Sequence, residues 1–247
     1  MTDDRESVSS PAAAQGIVFI HGGKHDGRCW APTMDVIKVV APNVTQLAVN
    51  LPGRGGTSGE STLAGCVHAA VEQIEAAGMQ RFVLVGHSLA GVTVPLVASA
   101  LGADRVSRIV AVSCCVPPQS KTTEETASLP ARLTARLLEH ASMPRWLAQL
   151  MFCNGMSAAQ KDFALSVLVP DAPDAPGLTR APADRSALPA QIPRTWVLTL
   201  RDRTIPPRVQ LRFAANLGAS EVVPIDTGHN PMIASPEALA SIIVDRM

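Results

Sequence analysis

The sequence predicts an α/β protein: an open, mostly parallel sheet of about six strands flanked by helices. Three observations carry this. Short apolar runs rich in β-branched residues recur along the chain, and stretches with helical hydrophobic spacing separate most of them, which is the rhythm of successive βαβ units. The clearest of these runs, Gly16-Ile17-Val18-Phe19-Ile20, is apolar at every position, as a strand covered by helices on both faces requires. Finally, 247 residues with 47% hydrophobic content suffice for one full core, or a core plus a small insertion.

Residues 1–15 read as a flexible N-terminal tail. It is polar, carries Asp3, Asp4 and Glu6, and lacks the basic start and apolar run of a secretory leader. The core is expected over 16–115 and 194–247. Its first strand is Gly16–Ile20, and further strands are expected at 44–49, 81–85, 108–113, 195–200 and 221–225. Helical patterns follow at 30–40, 63–77, 89–101, 208–217 and 236–244; in the last, Ser235-Pro236 places Pro at a first helical position. The interval 116–193 breaks the rhythm. It shows no strand, has amphipathic patterns at 129–140, 144–152 and 158–168, and ends in a Pro/Ala/Asp-rich stretch. A structureless loop of that length is unusual, so a helical cap or lid at the carboxyl edge of the sheet is expected, where ligands bind in open α/β sheets.

Composition narrows the function classes. Lys+Arg and Asp+Glu are both 21, so no excess positive field gathers nucleic acid or an anionic membrane. No apolar stretch reaches the ~18–20 residues of a membrane span. The five cysteines form no Cys-x-x-Cys or zinc spacing and read as reduced thiols, which points to a cytoplasmic location. The excess of Arg over Lys and the Ala-rich bias point toward a bacterial source. A small-molecule substrate is the expected partner, and a homodimer is compatible with the sequence.

The most informative segment is Phe82-Val83-Leu84-Val85-Gly86-His87-Ser88-Leu89-Ala90-Gly91. A β-rich run meets Gly-x-Ser-x-Ala-Gly and a helical pattern follows. Such a strand–turn–helix lifts a serine hydroxyl above the sheet, and its tightness demands small flanking residues. Ser88 is the candidate nucleophile, and the Leu89 N–H, at the start of the helix, a candidate oxyanion donor. A serine needs a base. His87 leaves on the opposite side from Ser88, and His68 and His140 lie in helical patterns. His229, in the loop after the last strand, is the candidate base. Its orienting carboxylate is expected to be Asp202, at the carboxyl edge of the fifth strand, with Asp226 as rival.

The order Ser88, Asp202, His229, together with His21-Gly22-Gly23, Leu51-Pro52-Gly53-Arg54-Gly55 and Gly228-His229, resembles the α/β-hydrolase superfamily over nearly the whole chain. The resemblance implies the α/β-hydrolase fold and adds the Gly23 N–H as second oxyanion donor. His21-Gly22-Gly23-Lys24-His25 with nearby Trp30 is similar to the plant methylesterase and hydroxynitrile lyase branch. Its lyases carry Thr after the first His and Lys after the catalytic His; Gly22 and Asn230 stand there instead, which favours ester hydrolysis. The implied activity is a serine hydrolase for a small, largely apolar ester or thioester. The same scaffold used for lyase, C–C hydrolase or cyclisation chemistry, or as a small-ligand receptor, are the alternatives.

Gly22, Trp30, Cys114, Trp146, Leu150 and Met151 are expected to line the substrate site, with Lys24 and Arg145 as cations for an acidic group. No cofactor is expected. No metal is expected either, since no third histidine joins His21, His25 and Asp26.

Overall fold

The computed structural model describes residues 16–127, 129, 132–133, 143–170 and 176–247. The expectations for the tail 1–15, for most of the helix at 129–140 and for His140 lie outside these residues.

Six strands form one parallel sheet: β1 (Gly16–Ile20), β2 (Thr45–Val49), β3 (Phe82–His87), β4 (Val106–Val112), β5 (Arg194–Thr199) and β6 (Glu221–Ile225). Their spatial order is β2-β1-β3-β4-β5-β6. β1 and β3 are buried at every position, while the edge strands β2 and β6 are partly exposed. Alternation along the strands divides the core in two. Ile17, Phe19, Val83, Val85, Val110 and Val112 face one layer of helices. Val18, Ile20, Phe82, Leu84 and Ile109 face the other, with Trp196 and Phe213.

Helices α1 (Ala31–Val40), α2 (Leu63–Ala76) and α3 (Val94–Leu101) follow β1, β2 and β3. The stretch expected as one helix from 89 is broken: Ser88–Val92 is a 3-10 turn and α3 starts only at Val94. Pro95 explains this, because it has no N–H and its ring would collide with the carbonyl of Gly91 in a continuous α-helix. Likewise Gly27–Trp30 is a 3-10 turn capped by the Asp26 carboxylate, and Pro32 opens α1.

Between β4 and β5 lie α4 (Thr123–Thr126), α5 (Arg145–Phe152), α6 (Ala158–Ser166) and α7 (Pro176–Arg180). Ala148, Phe152, Met156 and Ala164 from α5, α6 and their junction join the core layer of Phe19 and Val85. The chain closes with α8 (Pro207–Leu217), α9 (Pro231–Ala234) and α10 (Pro236–Val244). α8 ends at Gly218, whose φ of 72° is the left-handed conformation of a helix C-cap. Among the described residues no helix is long and apolar enough to cross a membrane.

One expectation is corrected here. Trp30 is not a wall of the substrate site. It is fully buried, its ring centroid 4.9 Å from that of Phe19, because the 3-10 turn directs it under β1 into the core. Trp30→Ala is therefore expected to cost about 3–5 kcal/mol of stability by denaturant unfolding. Trp30→Phe should lose less and leave KM unchanged, whereas a pocket wall would raise it.

Candidate active site

β3 runs straight into the elbow. Ser88, the first residue beyond it, has φ 51°, a conformation a residue with a Cβ rarely adopts. Close packing fixes the turn. A Cβ at Gly86 would lie 2.5 Å from Val94 Cγ2, one at Gly91 2.3 Å from the Cys115 carbonyl oxygen, and one at Gly22 2.8 Å from Ser88 Cβ. The Cys115 N–H donates to the Ser88 carbonyl at 2.7 Å, so the chain leaving β4 braces the turn.

Ser88 Oγ lies 3.0 Å from His229 Nε2, and His229 Nδ1 lies 2.8 Å from Asp202 Oδ2. The carboxylate can only accept, so the proton sits on Nδ1 and Nε2 is left to receive the serine proton. The His229 carbonyl accepts from His87 Nε2–H at 2.9 Å and from Ser113 Oγ–H at 3.1 Å. Gly228 lets the loop pass Asn154, whose carbonyl oxygen would stand 2.8 Å from a Cβ there.

Asp202 is buried and receives five donors. Thr204 N–H and Ile205 N–H bind Oδ1 at 2.7 and 2.8 Å. Thr199 Oγ1–H, Gln210 Nε2–H and His229 Nδ1–H bind Oδ2 at 2.9, 3.1 and 2.8 Å. Burial pushes its pKa up, but the His229 charge, the His229 hydrogen bond and the two backbone donors outweigh it, and the carboxyl is held below its ordinary value. The rival, Asp226, has a side chain 73% exposed and paired with Arg201 at 2.9 Å.

The Gly22–Gly23 turn is held from beneath. His21 Nδ1–H donates to the Gly22 carbonyl at 2.9 Å, while its Nε2 accepts the Leu51 N–H at 3.2 Å. The Gly22 carbonyl and the Gly23 N–H share one planar peptide unit and point in opposite directions, so this bond also aims the Gly23 N–H. Across the turn stands Leu89, with its Cδ2 3.5 Å from a Cβ built on Gly23. His21 and His25 are lowered to about 4, chiefly by burial. Asp26 holds Arg28.

The remaining expected pocket residues are redistributed. Cys114 is buried and its Sγ–H points back to the Gly86 carbonyl at 3.1 Å; it braces the elbow and does not line the site. Trp146 and Leu150 face outward, 66% and 47% exposed. α5 carries three apolar pairs at i,i+4 spacing, Trp146 with Leu150, Leu147 with Met151 and Ala148 with Phe152, and the buried one is Ala148 and Phe152. Phe152 is the ring at the site, 5.8 Å from His229 and 5.4 Å from His25 between centroids. Met151 is half-buried and its carbonyl accepts the Thr204 hydroxyl at 3.0 Å. Lys24 and Arg145 both line a cleft of about 230 Å³ with Ala148, Leu165 and Leu168, whose walls do not include Ser88; Arg145 pairs with Asp162 at 3.2 Å.

Sequence reasoning missed Gln210, Thr199, Ser113 and Asn154. Each is an ordinary residue of its element, and only its place in the fold gives it a role.

The family model described as "Alpha/beta hydrolase family" matches residues 17–242. A comparison with curated proteins finds no match. Among solved structures, the chain is similar to an extracellular α/β-hydrolase from a Paenibacillus species, described as sharing structural and functional homology with Tobacco Salicylic Acid Binding Protein 2. The TM-score is 0.80 at 20% identity, over 94% of this chain and 98% of that one. A methylesterase from Arabidopsis gives 0.72 at 17% identity over 93% and 97%. A pyrethroid hydrolase from Sphingobium faniae gives 0.70 at 21% over 94% and 97%. At these identities the likeness is one of fold.

The two buried rings set an acid limit. Unfolded, His21 and His25 bind a proton near pH 6.5; folded, only near 4. Between those values the unfolded chain holds more protons, so stability rises with pH. The contribution is complete above about pH 6.5 and is lost toward pH 4. It is on the order of 3 kcal/mol for each ring, and less than additive because they sense one another. Asp202, lowered from 3.8, is lost only below that window. Thermal midpoints should therefore already fall between pH 6.5 and 5, above the ordinary range of the carboxylates.

Proposed function

The chain belongs to the α/β-hydrolase family, and on that premise we propose that it is a serine hydrolase cleaving a small, largely apolar ester or thioester through an acyl-enzyme. The observation that carries this reading is the continuous chain Ser88–His229–Asp202, at 3.0 and 2.8 Å. Ser88 Oγ attacks the substrate carbonyl carbon as His229 Nε2 takes its proton. Asp202 holds the Nδ1–H tautomer and stabilises the imidazolium. The Gly23 and Leu89 N–H groups bind the oxyanion, a donor of this kind being worth about 2.7–4 kcal/mol of transition-state stabilisation. The tetrahedral intermediate expels the alcohol or thiol, which takes the proton from His229. Water, deprotonated by the same nitrogen, then attacks the acyl-serine and releases the acid. The segment 116–193 serves as the cap, with Phe152 its apolar surface beside His229.

The position after His229 supports hydrolysis over lyase chemistry. Asn230 is fully buried, and its amide is turned to His25 at 3.4 Å, so it supplies no cation next to the catalytic base.

A fluorophosphonate probe should add once to the wild type and not to Ser88→Ala or His229→Ala, read by intact mass; a folded wild type left unlabelled would remove the serine from the mechanism. On p-nitrophenyl esters, Asp202→Asn should lower kcat by about 10⁴-fold through loss of the tautomer. Asp226→Asn, on the exposed Arg201 pair, should stay within about twofold; the reverse ranking would move the acid to Asp226.

A further inference from the structure

Beside the Gly22–Gly23 turn lies a histidine for which the hydrolytic cycle has no proton to move. His25 is buried, and both ring nitrogens are engaged. Nδ1–H donates to the Gly23 carbonyl at 2.9 Å, and Nε2 accepts from Asn230 Nδ2 at 3.4 Å. Asn230 directly follows His229, and its carbonyl receives the Ile233 and Ala234 N–H groups at 3.2 and 3.0 Å, so it is itself fixed. We propose that His25 is a positioning residue that fixes the oxyanion turn through its Nδ1–H, with its ring oriented by Asn230 of the loop carrying His229, an inference that rests on the serine-hydrolase reading above.

The geometry gives the reason. Gly23 lies between two peptide planes. The first carries its N–H and is anchored through the Gly22 carbonyl by His21. The second begins with the Gly23 carbonyl and is anchored by His25. With both planes tied, neither φ nor ψ of Gly23 is free, although glycine is the residue with the most backbone freedom to lose. Without His25 the second plane is released, and the direction of the Gly23 N–H rests on the His21 bond alone.

The lock also holds Lys24, which spans the hydrogen-bonded ring at φ 60°, a left-handed conformation for a residue with a Cβ. His25 pairs in an isolated antiparallel bridge with Leu168, and the Lys24 carbonyl accepts the Val169 N–H at 3.0 Å. Phe152 stands edge-on to the His25 ring at 5.4 Å and His87 at 6.0 Å. The tautomer follows from the Gly23 carbonyl, which needs the Nδ1 proton. Nε2 then offers a lone pair, and Asn230 must turn its NH₂ toward it. The Asn230 Oδ1 is left buried without a partner among the described residues. An unsatisfied buried oxygen is rare, and here it is the consequence of orienting the amide toward His25.

Three substitutions separate the two bonds. His25→Asn keeps a donor near the Nδ1 position, His25→Gln keeps an acceptor near Nε2, and His25→Phe keeps a ring with neither. Each variant is compared with wild type in kcat and KM on p-nitrophenyl butyrate, in Ki for an aryl trifluoromethyl ketone, which forms the oxyanion covalently, and in thermal midpoint. His25→Phe and His25→Gln should lose about 10- to 100-fold in kcat, with KM within about twofold and ketone affinity reduced in step. His25→Asn should recover most of the loss. The inference is overturned if folded His25→Gln keeps wild-type kcat and ketone affinity, or if His25→Asn falls as far as His25→Gln. Should His25→Phe fail to fold, the Asn and Gln pair decides. A wild type that neither turns over the ester nor takes the fluorophosphonate would instead bring down the hydrolase reading itself, and the inference with it.

Discussion

The hydrogen bond between Asp202 and His229 joins two side chains almost out of reach of water, and much of the carboxyl edge of the sheet is arranged around it. A buried carboxylate is costly unless its lone pairs are filled. Asp202 meets this with donors drawn from β5, its following turn and α8. Gln210 contributes more than one bond: it also donates to the Ile205 carbonyl and accepts the Thr199 N–H, tying the turn to the helix. The carboxylate therefore stays ionised in a dry setting, where it aligns the imidazole in a single tautomer.

The same economy of space governs the other half of the site. The serine turn is a place where backbone approaches backbone too closely for side chains, so Gly22, Gly86 and Gly91 are dictated by contact. The strain of Ser88 at positive φ is held by the chain leaving β4 through the Cys115 N–H, and Cys114 fills the space behind Gly86. His21, His25 and His87 lie beneath, and each spends one ring nitrogen on a carbonyl of the site's loops. Their burial keeps them neutral and makes acid a threat to the fold.

The helices between β4 and β5 belong to this frame. Asn154 Nδ2–H donates to the Arg201 carbonyl at 2.7 Å, and the Thr204 hydroxyl to the Met151 carbonyl at 3.0 Å. Gln160, which caps α6, also reaches the Ile233 and Ala234 carbonyls. α5 and α6 are thus tied to the loops that bear both Asp202 and His229, and a substitution in them acts on the alignment of these two side chains as well as on the space above them.

What the sequence determined by itself was whatever depends on local spacing. Continuous apolar runs and helical periodicity located all six strands and the helices α1, α2, α5, α6, α8 and α10, though not α4, α7 or the break before α3, since both patterns are set by the geometry of a few consecutive residues. The serine turn was legible for the same reason: its glycines answer to a local steric demand. Asp202 and His229 could be named from their places after the fifth and sixth strands, and the order of strand ends along the chain carries that much. Tertiary structure decided the rest. Trp30 was an aromatic near a glycine-rich turn, and only packing against Phe19 made it core. In α5, Trp146 with Leu150 and Ala148 with Phe152 are equally apolar stripes, and the surface beneath chose between them. Gln210, Ser113 and Asn230 gained roles from partners distant in sequence or from bonds no spacing announces. Sequence fixes periodicity and local sterics over a few residues; which side chain meets which across the sheet edge is set only when the strands assemble.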